Sequence, residues 1–436
     1  MDETDRSENL GGLLLDRVRR LRPHLRSLTG DGVRATLDVI ADELPIERHS
    51  VPSGSRACDW VVPDEWNVAA AHVTHVDGRR VVDLADHDLH LVGYSVPVRE
   101  RMDLAALRPH LHTLPEHPDW IPYRTTYYHR DWGFCLTQRV LDSLDEGPYD
   151  VVVDSRLETG ELVWGELVVP GESEDEVLVS SHLCHPSMAN DNLSGLAVAV
   201  ELARQVRALP SRRLTYRFVF APGTIGSLVW LEHRADVLPR VRHGLVLTGV
   251  GGPGPLVYKR SRHGDRSIDR AAAHVVARRR GEIRDYTPWG YDERQYNSLG
   301  FDLPVGRLTR TPHGEYPEYH TSADDLDLLS GDHLEEAVQA LLEIVEVIEH
   351  DGLHRNLLPR GEPQLGRRGL YPTTGGQTAD DAVMAMLWVL ALADGRTSLL
   401  EIAERADTDF GVVRAAARRL LDAGVLEALT SDAAEG

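Results

Sequence analysis

Apolar residues recur at helical spacing from Leu10 to about Leu21 and from Gly32 to about Leu44, which predicts two N-terminal helices. Pro52 and Gly54 break the pattern. From Asp59 to about Glu146 the spacing shortens to alternating runs with tight turns and many aromatics. Arg79–Leu84, His90–Ser95 and Pro118–Tyr123 through Trp132–Phe134 are examples, and they predict an inserted β-rich subdomain. From Tyr149 onward strand-like runs alternate with helical ones, the pattern of a mainly parallel sheet with covering helices. Strands are expected near Val151–Asp154, Glu161–Val169, Val177–Ser181, Leu214–Ala221, Gly244–Leu247 and Leu303–Leu308, with a closing helix from Asp332 to about Glu349. Pro359, Pro363 and Gly366 mark a linker. Helical segments near Asp380–Leu392, Ser398–Ala406 and Phe410–Ala423, then a strand at Gly424–Leu429, read as a winged helix.

The expected organisation is therefore an α/β domain from 1–57 and 147–355, an insert at 58–146, a linker at 356–366 and a winged helix at 367–436. The α/β domain should hold a mainly parallel, mixed sheet with helices on both faces. A chain of 436 residues exceeds one core, which agrees with this division.

The formal charge of −22 argues against nucleic acid or an anionic membrane as main partner. The third helix of the wing does carry Arg414, Arg418 and Arg419, but Asp407, Asp409 and Asp422 surround them. No apolar run approaches the ~18–20 residues of a membrane span, and no signal-peptide pattern opens the chain. Cys58, Cys135 and Cys184 form no metal or disulfide pattern, so a reducing cytoplasm is expected. Homo-oligomerisation stays open. Of 47 basic residues only Lys259 is lysine. It is either a chance survivor of an arginine-biased composition or a compact cation aimed at a site.

The densest chemistry lies in Val177-Leu-Val-Ser-Ser-His182-Leu-Cys-His185-Pro-Ser-Met-Ala-Asn190-Asp191-Asn192-Leu-Ser-Gly195. A buried strand stops at a histidine, a short loop adds a second histidine and an Asn-Asp-Asn triplet, and a helix follows. Such a loop lies at the carboxyl edge of a parallel sheet, where open α/β folds place their sites. Two imidazoles and a carboxylate within ten residues form a divalent-metal set, zinc first. Further on come Tyr291-Asp292-Glu293-Arg-Gln-Tyr296, Leu299–Val305 and Glu318-Tyr-His320-Thr-Ser-Ala-Asp-Asp325.

Together these stretches resemble the zinc aminopeptidases of the bacterial leucyl-aminopeptidase and glutaminyl-cyclase type. The resemblance implies that His182, Asp191 and His320 are metal ligands and that Asp292 matches the acid of the middle motif. His185 has no counterpart and is an added ligand candidate. Cys184 stands where that clan has an Asp, and is read as a small buried side chain. The departures are specific. The clan's Glu-Glu pair has no carboxylate counterpart in Phe218–Ser227, and its later metal-binding Asp has none in Gly244–Gly252. The full two-metal set is thus absent, and one zinc with an open position is expected. The substituted motifs resemble a little-characterised bacterial family labelled aminopeptidase-like, with a β-rich insert and a C-terminal winged helix.

On this reading the chain is a zinc hydrolase of a peptide or aminoacyl amide, with Glu293 as proton acceptor and Asp292 orienting a ligand. A salt bridge to an arginine is the alternative for Glu293. Arg310, Tyr258, Tyr319 and Lys259 are the substrate-binding candidates. His110, His112 and His117 of the insert are not assigned to metal. The rival expectation is an aminopeptidase-fold binding protein without chemistry, with a DNA-binding regulator third.

Overall fold

The computed structural model describes residues 10–370 and 381–429. The expected winged-helix residues 371–380 and 430–436, and residues 1–9 of the first domain, lie outside them. The chain divides into two compact units, Met1–Asp269 with Arg280–Gln339 and Arg270–Arg279 with Ala340–Gly436.

The first unit is built on an eight-stranded sheet. Its strands are β1 (Glu47–Pro52), β2 (Glu161–Val169), β3 (Glu176–His182), β4 (Thr215–Ala221), β5 (Val241–Leu247), β6 (Val257–Lys259), β7 (Glu282–Arg284) and β8 (Val305–Thr309). They lie in the order β1-β2-β4-β3-β5-β8-β6-β7. The four central strands β4-β3-β5-β8 are mutually parallel, while β1 with β2, β2 with β4 and β6 with β8 are antiparallel. Every residue of β3 and β4 is buried, as expected of strands covered on both faces. Helices α1 (Leu10–Leu21), α2 (Asp31–Ala41), α3 (Gly195–Ala208) and α4 (Ile225–His233) belong to the same unit.

The insert holds a four-stranded antiparallel sheet ordered Arg80–Asp83, Glu65–His75, Pro148–Glu158, Val98–Asp103. The expected strand at Val151–Asp154 therefore pairs with the insert and not with the central sheet. Its inner and outer residues alternate in burial, the mark of a half-covered antiparallel strand. The insert sheet thus runs past the expected boundary at 146. His90–Ser95 and Pro118–Tyr123 are not regular strands. They are held by single bridges, Leu91 to Phe134, Gly93 to Thr125 and Pro122 to Thr321. In the second stretch Pro118 and Pro122 lack the N–H that a ladder needs.

In the second unit Asp394–Ser398, Leu353–Asn356 and Leu426–Ala428 form a three-stranded antiparallel sheet. Helices Asp381–Leu392, Leu399–Arg405 and Phe410–Asp422 pack with it. Ser398 and Asp409 cap the second and third helices through their side-chain oxygens. The expected linker boundary at 355/356 falls inside a strand of this sheet, because Leu353–Asn356 supplies its central member. Arg414 pairs with Glu346, and Arg418 and Arg419 are exposed.

Candidate metal centre

His182 is the last residue of β3, a strand paired in parallel with β4 on one side and β5 on the other. The chain leaves β3 for β4, then crosses to β5, so the connections diverge at this edge and open a crevice. The Asn-Asp-Asn loop is pinned from below. Asn192 Nδ2 donates to the His182 carbonyl at 3.0 Å and to Ser181 Oγ at 3.0 Å, and its Oδ1 accepts from Gly249 N at 3.2 Å. Asn190 Oδ1 accepts from Gly251 N at 3.1 Å and Gly252 N at 2.9 Å. A Cβ on Gly252 would stand 2.8 Å from Asn190 Nδ2, so the approach requires glycine. From the other side Asp324 accepts the backbone N–H of Asn190 at 2.5 Å and of Asp191 at 2.9 Å. Burial, with the Asp191 charge adding to it, lifts the Asp324 carboxyl to about 7.

Asp191 is fully buried at the centre of three imidazoles. His182 Nε2 lies 3.0 Å from its Oδ1, and His320 Nε2 lies 3.1 Å from its Oδ2. His185 Nδ1 comes to 3.2 Å from Oδ2 yet forms no hydrogen bond. Burial works against the Asp191 charge, but His185 and the other imidazoles hold its pKa well below the usual carboxylate range. Burial also opposes charge on His185 and His182, and there Asp191 outweighs it, so both are raised. At His320 burial wins and the pKa falls.

These residues fit a divalent ion. One nitrogen each of His182 and His185 and one oxygen of Asp191 lie within 4.8 Å of one another. Two ligands of a tetrahedral zinc at its usual bond lengths stand about 3.3 Å apart, close to the 3.0–3.2 Å spacings seen from Asp191 to the three imidazoles. An ion would also satisfy the buried His185 Nδ1, which has no hydrogen-bond partner among the described residues.

A cavity of about 370 Å³ lies over this cluster. Its lining includes the expected residues His182, His185, His320, Asp292 and Tyr319. Asp292 Oδ1 accepts Thr224 N at 2.7 Å, and burial raises its pKa. Thr224 has φ 60°, an outlier for a β-branched residue. Tyr319 stacks on His320 at 3.9 Å. Cys184 is buried as expected, its Sγ accepting from Gly223 N at 3.1 Å. Burial raises its thiol pKa, but neighbouring His185 more than reverses this.

Four expected site residues are placed elsewhere. Glu293 is fully buried behind the cavity wall, its Oε1 3.0 Å from Lys259 Nζ and 3.3 Å from Arg307 Nη1. The alternative for it, a salt bridge to an arginine, is present with Arg307, and Lys259 joins it at shorter range. Lys259 correspondingly points at Glu293 and the Trp289 carbonyl, 2.8 Å away, and not into the cavity. Tyr258 donates to Asp269 at 2.9 Å inside the core. Arg310 is spent on the carbonyls of Val250, Gly254 and His333 and on Glu336. Tyr258 and Lys259 lie on a buried strand, Arg310 follows the end of another, and the buried Glu293 opens a short helix, all places where a polar group must find partners locally.

Other contributors went unseen in the sequence. Tyr291 stacks on His182 at 5.3 Å. Tyr123 of the insert meets His185 and His320 edge-on at 5.3 and 5.0 Å, and its N–H donates to the His320 carbonyl at 2.8 Å. His313 lies 4.6 Å from Tyr291, and burial with Arg307 lowers its pKa to about 4. The Asp324 and Tyr291 positions were inside motifs already conspicuous; nothing in the pattern around His313 marks it.

The family described as Domain of unknown function (DUF4910) matches residues 15–351. The chain belongs to that family. A winged helix-turn-helix family matches residues 352–428, which includes the strand Leu353–Asn356. A Clostridium acetobutylicum protein named "Putative polysaccharide biosynthesis protein with aminopeptidase-like domain" is 44% identical over 419 residues, covering 95% of this chain and 96% of that protein. A crystal structure of a "putative peptidase" from Clostridium acetobutylicum matches with TM-score 0.91 at 42% identity, covering 96% of each chain. A zinc aminopeptidase from Bacillus subtilis matches with TM-score 0.56 at 14% identity, over 78% of this chain and 94% of that one. That last likeness shows the fold: an aminopeptidase-like α/β unit, here joined to a C-terminal winged helix.

Proposed function

We propose that this chain is a metal-dependent hydrolase of a peptide or other amide bond, holding one zinc ion through His182, His185, Asp191 and His320. The observation that carries this reading is the convergence of three imidazoles on one fully buried carboxylate beneath a cavity. When bound, zinc polarises a scissile carbonyl and makes water acidic. The chain's own residues supply the rest. Asp292 lines the cavity with one oxygen fixed by Thr224 N–H, which leaves the other to take a proton from water and deliver it to the leaving amine. This reassigns the role expected of Glu293, whose carboxylate is committed to Lys259 and Arg307. Asn190, Asn192 and Asp324 hold Asp191 in place.

Tyr123, Tyr127 and Tyr128 of the insert line the cavity, which favours a small or unusual substrate over a long chain. The name of the Clostridium relative couples an aminopeptidase-like domain to polysaccharide biosynthesis, which supports a biosynthetic amide. A reducing cytoplasm suits the three free cysteines Cys58, Cys135 and Cys184. No described helix is long and apolar enough to cross a membrane.

The absence of any carboxylate in Phe218–Ser227 favours a second reading, a binding protein on the same fold. Metal analysis of protein purified without chelator, followed by a panel of aminoacyl amide reporters, separates the two. Protein that is free of metal and inert toward the panel overturns the hydrolase reading.

A further inference from the structure

Among the described residues, Trp60, Tyr128 and Trp289 are the large aromatic side chains left substantially exposed, at 39%, 48% and 71%. All three line the cavity above Asp191. Trp60 and Tyr128 meet edge-to-face at 5.9 Å. Exposed aromatics gathered at one cavity, and nowhere else among the described residues, mark a place where a ring-bearing partner is covered.

The charge of the lining points the same way. Arg124 and Arg294 both line this cavity, and neither has a carboxylate partner among the described residues. Arg124 is exposed, and alone it would read as a solvated surface group. Arg294 differs, because its Nε is shut off from solvent with no hydrogen-bond partner. A half-buried guanidinium in a cavity lining, with no ion-pair partner among the described residues, is stabilised by an anion that joins it there. Asp292 is the one carboxylate in the lining, in a chain whose formal charge is −22. A cation-rich cavity on so acidic a protein draws anions selectively.

We infer that the cavity takes an anionic amide with a ring-bearing body: the ring stacks among Trp60, Tyr128 and Trp289, and a carboxylate or phosphate is met by Arg124 and Arg294. This names the substrate class of the site proposed above and rests on that site being a binding site, not on its chemistry. A guanidinium matches either oxyanion with paired N–H donors.

Calorimetric titration of the full chain at low salt tests it with matched probes. Hippurate carries an amide, a ring and a carboxylate, and hippuramide is its neutral counterpart. Phenyl phosphate supplies the phosphate arm, and N-acetylglycine lacks the ring. Hippurate or phenyl phosphate should bind at least about tenfold more tightly than hippuramide, the scale of a charge-assisted hydrogen bond; whichever binds better identifies the anion. Arg124→Gln with Arg294→Gln should bring the anionic and neutral probes to parity. Trp289→Ala should weaken hippurate by roughly three- to tenfold and leave N-acetylglycine unchanged. Unfolding midpoints confirm that the variants are folded. Equal binding of hippurate, phenyl phosphate and hippuramide overturns the inference. So does an anion preference that survives the double arginine substitution, since a carboxylate bound directly to metal would behave that way. Hydrolysis is not read in this experiment, so an inert, metal-free protein would defeat the hydrolase reading while leaving an arginine-dependent preference intact.

Discussion

Glu293→Gln is the substitution that most sharply separates two roles for one residue. Glu293 is 0% exposed, and it faces Lys259 at 2% and Arg307 at 3%. Its Oε1 serves both cations, at 3.0 and 3.3 Å. Removing the charge leaves two buried cations without an anion, a change that costs about 3–5 kcal/mol when one partner of a buried pair is lost. The amide oxygen can still accept from Lys259 Nζ, which places the expected loss at the lower end. Burial already depresses the Lys259 pKa, and Glu293 is the group that opposes this. The variant should therefore depress it further. For a depressed group, stability is present above the unfolded pKa and lost as pH falls through the folded one. The deficit should thus be smallest in alkali and grow toward neutral pH. Urea unfolding across that range, with Lys259→Met/Glu293→Gln as the compensated comparison, measures it. A stable Glu293→Gln protein that keeps its metal but turns over amides ~10²–10⁴-fold more slowly would refute the structural role and restore Glu293 as proton acceptor.

Asp292→Asn should keep metal and fold and lower amide turnover by roughly 10²–10⁴-fold; full activity would remove it from the mechanism. Freshly purified protein should carry close to one zinc per chain by elemental analysis, and His320→Ala or Asp191→Ala should lose it; two well-occupied ions would contradict the mononuclear reading. Asn190→Ala strips the acceptor from two buried N–H groups, so it should cost about 1–3 kcal/mol for each and weaken zinc retention against a chelator. Burial, then Arg213, pushes His243 down to about 4. The stability this neutral histidine permits above its ordinary pKa of ~6.5 should be lost between that pH and 4, by about 3 kcal/mol, and His243→Phe should flatten the loss in urea titrations.

The candidate metal cluster could be placed from the sequence because its pieces are tied to secondary structure by short spacings. A buried strand that ends at His182 and a helix that begins at Gly195 leave the loop between them only one place to be, the sheet's carboxyl edge. His320 was legible through its motif. The insert was legible as β-rich, but its share of the site was not. Pro122 bridges Thr321, and Tyr123 N–H donates to the His320 carbonyl, across nearly two hundred residues that no local pattern connects.

The Asp292–Glu293 pair shows where residue types alone stop. The two carboxylates are adjacent at the start of the one-turn helix Glu293–Tyr296, and successive residues there point about 100° apart. One must face the cavity and the other the sheet, and the sequence does not say which. Its partners decide. Lys259 stands on β6 and Arg307 on β8, directly opposite in the antiparallel register. Together they make a buried cationic patch that holds one carboxylate in the interior. Glu293 meets it, so Asp292 is turned toward Thr224 and the cavity. The lone lysine is thus accounted for without a direct role at the site. By fixing Glu293 behind the wall, it helps set which acid the cavity presents.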